Sequence, residues 1–300
     1  MKENYSFKIP SPIQSTIIPV LFQNKNVIAC SETGSGKTLS YLIPIMHNIA
    51  NSHKLEASNP YKCVIILPTK ELCVQVYNEV SVFSKYYTDS QLKVKVIHKS
   101  TMESCKTNFG NFIHNTDILI GTPMHINEIL EYENGLLLNS VKYLILDEAD
   151  QFFDYGYIET IDNILFQTKD HKICKGFFSA TLPDEIEEIL TTYIMDAVKI
   201  TIGSNLAPSK SIVQQIVYCT NESGKLLGIS NFFKGNFESP ILIFVEGIAN
   251  CEKLYQTIKF DIPNVAYLHS QMSRTHREEI VKKYRTGEIW VIIITTTSII

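Results

Sequence analysis

The stretch VIACSETGSGKTLSYLIPIMHNI, residues 27–49, decides the fold. VIAC (27–30) is apolar, too short for a helix and suited to a buried strand. SETGSG (31–36) is a turn, and KTLSYLIPIMHNI (37–49) opens a helix expected to run over 37–50. Gly34 and Gly36 let the backbone curl so that its N–H groups face phosphate oxygens. The helix N-terminus adds a partial positive charge at the same point. Ser31, Glu32, Thr33, Gly34, Ser35, Gly36, Lys37 and Thr38 therefore form the expected nucleotide cradle. Lys37 is placed to reach the β- and γ-phosphates, and Thr38 offers a hydroxyl to Mg²⁺. Where the usual loop signature has a glycine, this chain has Ser31.

Outward from that loop, short β-branched runs alternate with amphipathic stretches. The runs are CVIILP (63–68), KVKVIH (93–98), DILIG (117–121), YLILD (143–147), KGFFSA (175–180) and VKITI (198–202). Helices are expected at 70–87, 123–132, 157–166 and 183–195. This order implies an α/β fold, a parallel sheet covered on both faces. GSNLAPSKS (203–211) breaks the pattern and reads as a linker between a first lobe, 1–202, and a second, 212–300. The second lobe continues with IVQQIVYC (212–219), ILIFV (241–245), VAYLH (265–269) and WVIIIT (290–295) as strands, about four in number. Its helices are expected near 224–233, 248–259 and 273–285.

LILDEAD (144–150) ends a strand in carboxylates. Taken alone, such a cluster is as readily a solvated turn. Downstream of a phosphate loop in a parallel sheet, Asp147 is placed to hold Mg²⁺. Glu148 is then the candidate base for the attacking water. The catalytic set is Lys37, Asp147 and Glu148, and the chemistry is nucleoside triphosphate hydrolysis.

Composition narrows the classes. The chain has 300 residues, 45% of them hydrophobic, enough for two cores. No apolar run reaches the roughly 18 residues of a membrane span. MKENYSFKIP lacks the apolar centre of a signal peptide. Seven cysteines without a CxxC pair fit reduced thiols in an intracellular protein and give no zinc pattern. The net charge of −4 does not advertise nucleic-acid binding. The only arginines are Arg274, Arg277 and Arg285.

With DEAD at 147–150 following the loop, the chain resembles a DEAD-box RNA helicase, and the resemblance runs along its whole length. It implies two RecA-like parallel-sheet lobes that close on ATP–Mg²⁺ and RNA together. FKIPSPIQ (7–14) resembles the adenine-recognition motif. There Gln14 would pair with the adenine edge and Phe7 would stack on it, which implies ATP rather than GTP. PTKELC (68–73) and GTPMHI (121–126) resemble RNA-contacting motifs, with Lys70 and His125 where arginine is usual. Thr69, Lys70, Thr122 and Arg277 are the implied RNA contacts. SAT (179–181) matches the motif coupling hydrolysis to strand separation, which implies that Ser179 and Thr181 hydrogen-bond to Asp150. The implied partner is single-stranded RNA or a short duplex, held by backbone and 2′-OH contacts by a monomer. PTKELC and the TPM variant look most like members acting in small-subunit ribosome assembly, which implies pre-ribosomal particles and a nucleolar location.

The departures are specific. The paired glycine expected near VIHKSTMES is not evident, and Lys99 is read as compensating for it. The last two motifs of the family would follow WVIIITTTSII. They supply arginine fingers worth about 10³–10⁵ in rate. WVIIIT is accordingly expected at a raw sheet edge, unpaired on one side. The chain is thus read as a fragment or a gene model cut short, its second lobe incomplete. An alternative reading is an ATP-gated RNA clamp with little or no hydrolysis.

Overall fold

The computed structural model describes residues 9–54, 62–86, 92–132, 141–169, 172–182, 184–203, 212–235 and 237–295. Phe7 and most of the expected linker lie outside the described residues. The chain divides into two compact units, Met1–Lys210 and Ser211–Ile300.

The first unit is built on β1 (Val27–Ser31), β2 (Lys62–Ile66), β3 (Val94–Val96), β4 (Ile118–Gly121), β5 (Val141–Leu146), β6 (Cys174–Ser179) and β7 (Val198–Ile202). They form a sheet in the order β3-β4-β2-β5-β6-β1-β7, parallel throughout. Strands β1, β2, β4 and β6 are buried along their whole length because helices cover both faces. Side chains alternate between the faces. Cys63 and Ile65 join the core under α1 (Pro12–Phe22), α2 (Lys37–Lys54) and α3 (Lys70–Ser84). Val64 and Ile66 join the core under α6 (Pro123–Tyr132), α8 (Ile158–Gln167) and α9 (Asp184–Tyr193). Every strand read in this unit from the sequence is present.

Four helices are additional to that reading: α1, α4 (Lys99–Thr107), α5 (Phe109–His114) and α7 (Gln151–Asp154). α4, α5 and α7 are short, at nine, six and four residues. α1 carried a legible signal. Ser11 accepts from Gln14 N–H while the Gln14 side chain accepts from Ser11 N–H, a reciprocal cap with Pro12 at the first helical position.

The second unit contains β8 (Ile241–Val245), β9 (Val265–Leu268) and β10 (Val291–Thr295), with α10 (Glu222–Lys234), α11 (Ile248–Ile258) and α12 (Arg274–Arg285). Two expectations are corrected here. IVQQIVYC is not a strand: Ile212, Val213, Ile216, Val217 and Tyr218 are all exposed. Its apolar residues come in adjacent pairs, which a strand would point to opposite faces, so neither face gains a continuous stripe. The last strand is not an edge either. The sheet order is β8-β10-β9, and β10 pairs on both sides, Val291 with Ile241 and with Val265. Its unbroken isoleucine run suits a central strand, and Val291, Ile292 and Ile293 are buried between two cores.

Gly176 sits where β6 pairs with both β5 and β1. A Cβ there would lie 2.7 Å from Ile145 Cδ1 and 2.8 Å from Phe178 Cε2. Phe178 is fully buried and cannot withdraw freely. Gly176→Ala should lower unfolding free energy by about 1–3 kcal/mol. Urea denaturation followed by circular dichroism checks this, and an unchanged midpoint would refute the packing described.

Candidate active site

β1, β6 and β5 are neighbours, and their C-terminal ends carry the phosphate loop, Ser179 and the acidic loop respectively. Gly34 and Gly36 take φ of +75° and +94°, the region glycine enters without strain. Ser31 still belongs to β1 and needs no such freedom, so a side chain is accommodated there. Its hydroxyl lies 2.8 Å from that of Ser35, bridging the loop. Lys37 is buried and its Nζ donates to Ser31 O at 2.7 Å and Glu32 O at 3.2 Å. The ammonium is thus curled over the loop by two carbonyls, with its third N–H uncommitted to them.

α1 is fastened to this loop through Gln14. Its Oε1 accepts from Ser11 N–H at 3.0 Å and its Nε2 donates to Gly36 O at 3.3 Å. One N–H and one lone pair of the amide stay available, the pattern that an adenine edge complements. Gly36 is needed for this contact as well as for its φ: a Cβ would fall 2.4 Å from Gln14 Nε2.

Asp147 follows β5 and is 2% exposed. Its Oδ1 accepts from Glu148 N–H at 2.9 Å. Its Oδ2 accepts from Tyr41 OH at 2.8 Å and from Thr38 Oγ1 at 3.5 Å. Burial pushes its carboxyl above the usual carboxylate range, against the pull of the Tyr41 and Glu148 hydrogen bonds and the Lys37 charge. Glu148 is held at φ +48°, a strained conformation for a non-glycine residue. Its carboxyl is also raised, first by burial and then by the Asp147 charge. Among the described residues no group of three or more His, Cys, Asp or Glu could hold a metal ion. The Thr38 hydroxyl and Asp147 carboxylate are nonetheless a fitting hard-oxygen pair for Mg²⁺, which commonly takes one or two protein oxygens beside waters and phosphates.

Ser179, Asp150 and Thr181 are linked at the C-terminal end of β6. Ser179 Oγ accepts from Asp150 N–H at 3.1 Å. Asp150 Oδ2 accepts from both the N–H (3.1 Å) and the hydroxyl (3.0 Å) of Thr181. Asp150 Oδ1 is buried without a partner.

Beyond the C-terminal ends of the adjacent strands β2 and β4, Thr69 caps α3, accepting from Leu72 N–H at 3.3 Å, and Lys70 opens that helix. Thr122 precedes α6, its hydroxyl 2.9 Å from His125 Nδ1. The imidazole is pushed below its usual range by burial and then by the nearby Lys70 ammonium, so it is neutral at pH 7. Arg277 belongs to α12 of the second unit, its Nε buried without a partner. The sequence reading missed Ser11 and Tyr41. The S-x-x-Q spacing signals the first. The second stands one turn beyond Thr38 on α2, on the same face.

Comparison with known proteins follows the same outline. The DEAD/DEAH box helicase family model matches residues 11–189, and the helicase conserved C-terminal domain matches 224–299. An ATP-dependent RNA helicase, ROK1 of Kluyveromyces lactis, is 37% identical over 294 residues, covering 97% of this chain and 50% of that protein. A probable ATP-dependent RNA helicase, ddx52 of Dictyostelium discoideum, is 37% identical over 289 residues, covering 96% and 42%. The chain thus spans about half the length of the curated relatives it matches. Among solved structures, a hypothetical ATP-dependent RNA helicase from Sulfolobus tokodaii is 27% identical with a TM-score of 0.55, covering 98% of this chain and 80% of that one.

Gly36→Ala should break two contacts at once, the loop conformation and the Gln14 bond. The thermal midpoint should fall by several degrees, equivalent to about 1–3 kcal/mol, and nucleotide binding should be lost. Calorimetric melting with and without ATP reads both. A variant that melts and binds as the parent does would refute the stated geometry.

Proposed function

The chain belongs to the DEAD/DEAH box helicase family, and from that premise we propose that it hydrolyses ATP to drive local displacement of RNA strands. The observation carrying this reading is the convergence of Lys37, Thr38, Asp147 and Glu148 on one end of the sheet. Lys37 exchanges the loop carbonyls for β- and γ-phosphate oxygens. The amides of residues 32–37 surround the same oxygens at the positive end of α2. Gln14 reads adenine with its spare N–H and lone pair. Thr38 and Asp147 hold Mg²⁺, which when bound neutralises phosphate charge. Glu148, its basicity raised by burial, takes a proton from the attacking water.

Asp150 transmits the event. It joins the acidic loop directly to Thr181 and Ser179, so a shift of Glu148 or Asp147 is felt on β6. Thr69, Lys70 and Thr122 contact RNA phosphates beside the N-termini of α3 and α6; Arg277 is a separate candidate phosphate contact on the second unit. Such contacts follow the backbone and 2′-OH and are indifferent to sequence. The target is pre-ribosomal RNA in the nucleolus, a reading supported by the likeness of PTKELC and GTPMHI to ribosome-assembly members. No helix among the described residues is long and apolar enough to cross a membrane.

Single-turnover phosphate release tests the activity. RNA should stimulate release more than DNA of the same sequence does. Glu148→Gln should slow it by about 10²-fold or more while ATP still binds. An RNA-independent rate, or a rate indifferent to Glu148, would overturn the proposal. The neutral imidazole at 125 gives a second outcome. Protonation adds a cation beside Lys70, so wild-type RNA affinity should rise as pH falls from 8 to 5.5. His125→Arg should bind several-fold more tightly at pH 7.5 and lose that component of the pH dependence. Fluorescence anisotropy with a labelled oligonucleotide measures both.

A further inference from the structure

We propose that Tyr41 is a positioning residue for the cation-binding carboxylate, its hydroxyl fixing the plane of Asp147 against Thr38. The inference rests on the nucleotide-binding reading above and adds a residue to it. A carboxylate on a short stem turns freely unless both oxygens are engaged. In Asp147 they are engaged from opposite sides, Oδ1 by the Glu148 N–H and Oδ2 by the Tyr41 hydroxyl. The second contact is the shorter and comes from a side chain with no solvent exposure.

Tyr41 cannot swing away. Its ring packs against Phe178 of β6 with centroids 4.8 Å apart, inside the core shared by α1, α2 and α3. Thr38 and Tyr41 lie one turn apart on α2, so one rigid helix delivers a candidate cation ligand and the group that orients its partner ligand. Packing alone does not require the oxygen, because phenylalanine would fill the same space. The hydroxyl is the part that matters, and it meets the buried carboxylate that the site depends on. Groups of this kind, one bond removed from the cation, typically change metal affinity by 10–100-fold when lost.

The test is Tyr41→Phe, read by titrating the full chain with a fluorescent ATP analogue, first without divalent cation and then across a Mg²⁺ series. Nucleotide affinity without Mg²⁺ should stay within about twofold, since the loop and Lys37 are untouched. The Mg²⁺ concentration giving half-maximal binding should rise about tenfold. In an Asp147→Asn background the same substitution should add nothing. A thermal melt confirms that the ring still packs.

An unchanged Mg²⁺ midpoint overturns the role of Tyr41. So does an equal loss of affinity with and without the cation, which would make Tyr41 a packing residue only. A wild-type chain that binds no nucleotide under any condition overturns the underlying site reading instead. That result is distinct from either failure of the variant.

Discussion

A carboxylate removed from water must be matched by donors or by a cation, and Asp147 is such a group. At 2% exposure it draws a donor from its own loop, one from Tyr41 and a longer one from Thr38. These three come from two places in the chain more than a hundred residues apart. Only the sheet order, with β6 alone between β5 and β1, brings them together. The buried strands can thus be seen as the device that holds one acidic end next to one phosphate loop. The desolvation that raises the carboxyl is the same condition that makes a cation welcome there.

The next residue along is treated differently. Glu148 is turned into the left-handed region and left half-buried, so its raised basicity meets an accessible position. Asp150 is turned again, inward to β6, where three hydrogen bonds tie it to Ser179 and Thr181. Within four residues the chain supplies a buried carboxylate, a half-buried one of raised pKa and one tied to β6. The tie leaves Asp150 Oδ1 without a partner, an unsatisfied buried atom at the junction of the acidic loop and β6.

Much of this was legible in the sequence because the signals are local. Seven strands of the first unit announced themselves as short runs rich in apolar residues. The glycines of the loop fixed its turn, and DEAD fixed its partner. The failures have local causes too. Ser11 and Gln14 form a helix cap that a motif-level reading of FKIPSPIQ absorbed without noticing α1. IVQQIVYC has the composition of a strand without a face to bury. WVIIIT was assigned to an edge because it comes last in sequence, whereas its position is set by pairing on both sides. Chain order does not give strand order in a parallel sheet, since a crossover helix lets the chain skip a place and return to fill it. Tyr41 was invisible for a related reason: a tyrosine on an apolar helix face reads as core until its hydroxyl's partner is known.

The central claim is that the loop around Lys37 grips a triphosphate, with the Asp147 carboxylate beside it completing the site for the cation. Isothermal calorimetry of ATP with Mg²⁺ added to the wild-type chain and to Lys37→Ala measures this most directly. The account requires saturable one-to-one binding by the wild type and its loss in the variant. No heat from the wild type, or the same isotherm from both, would contradict it.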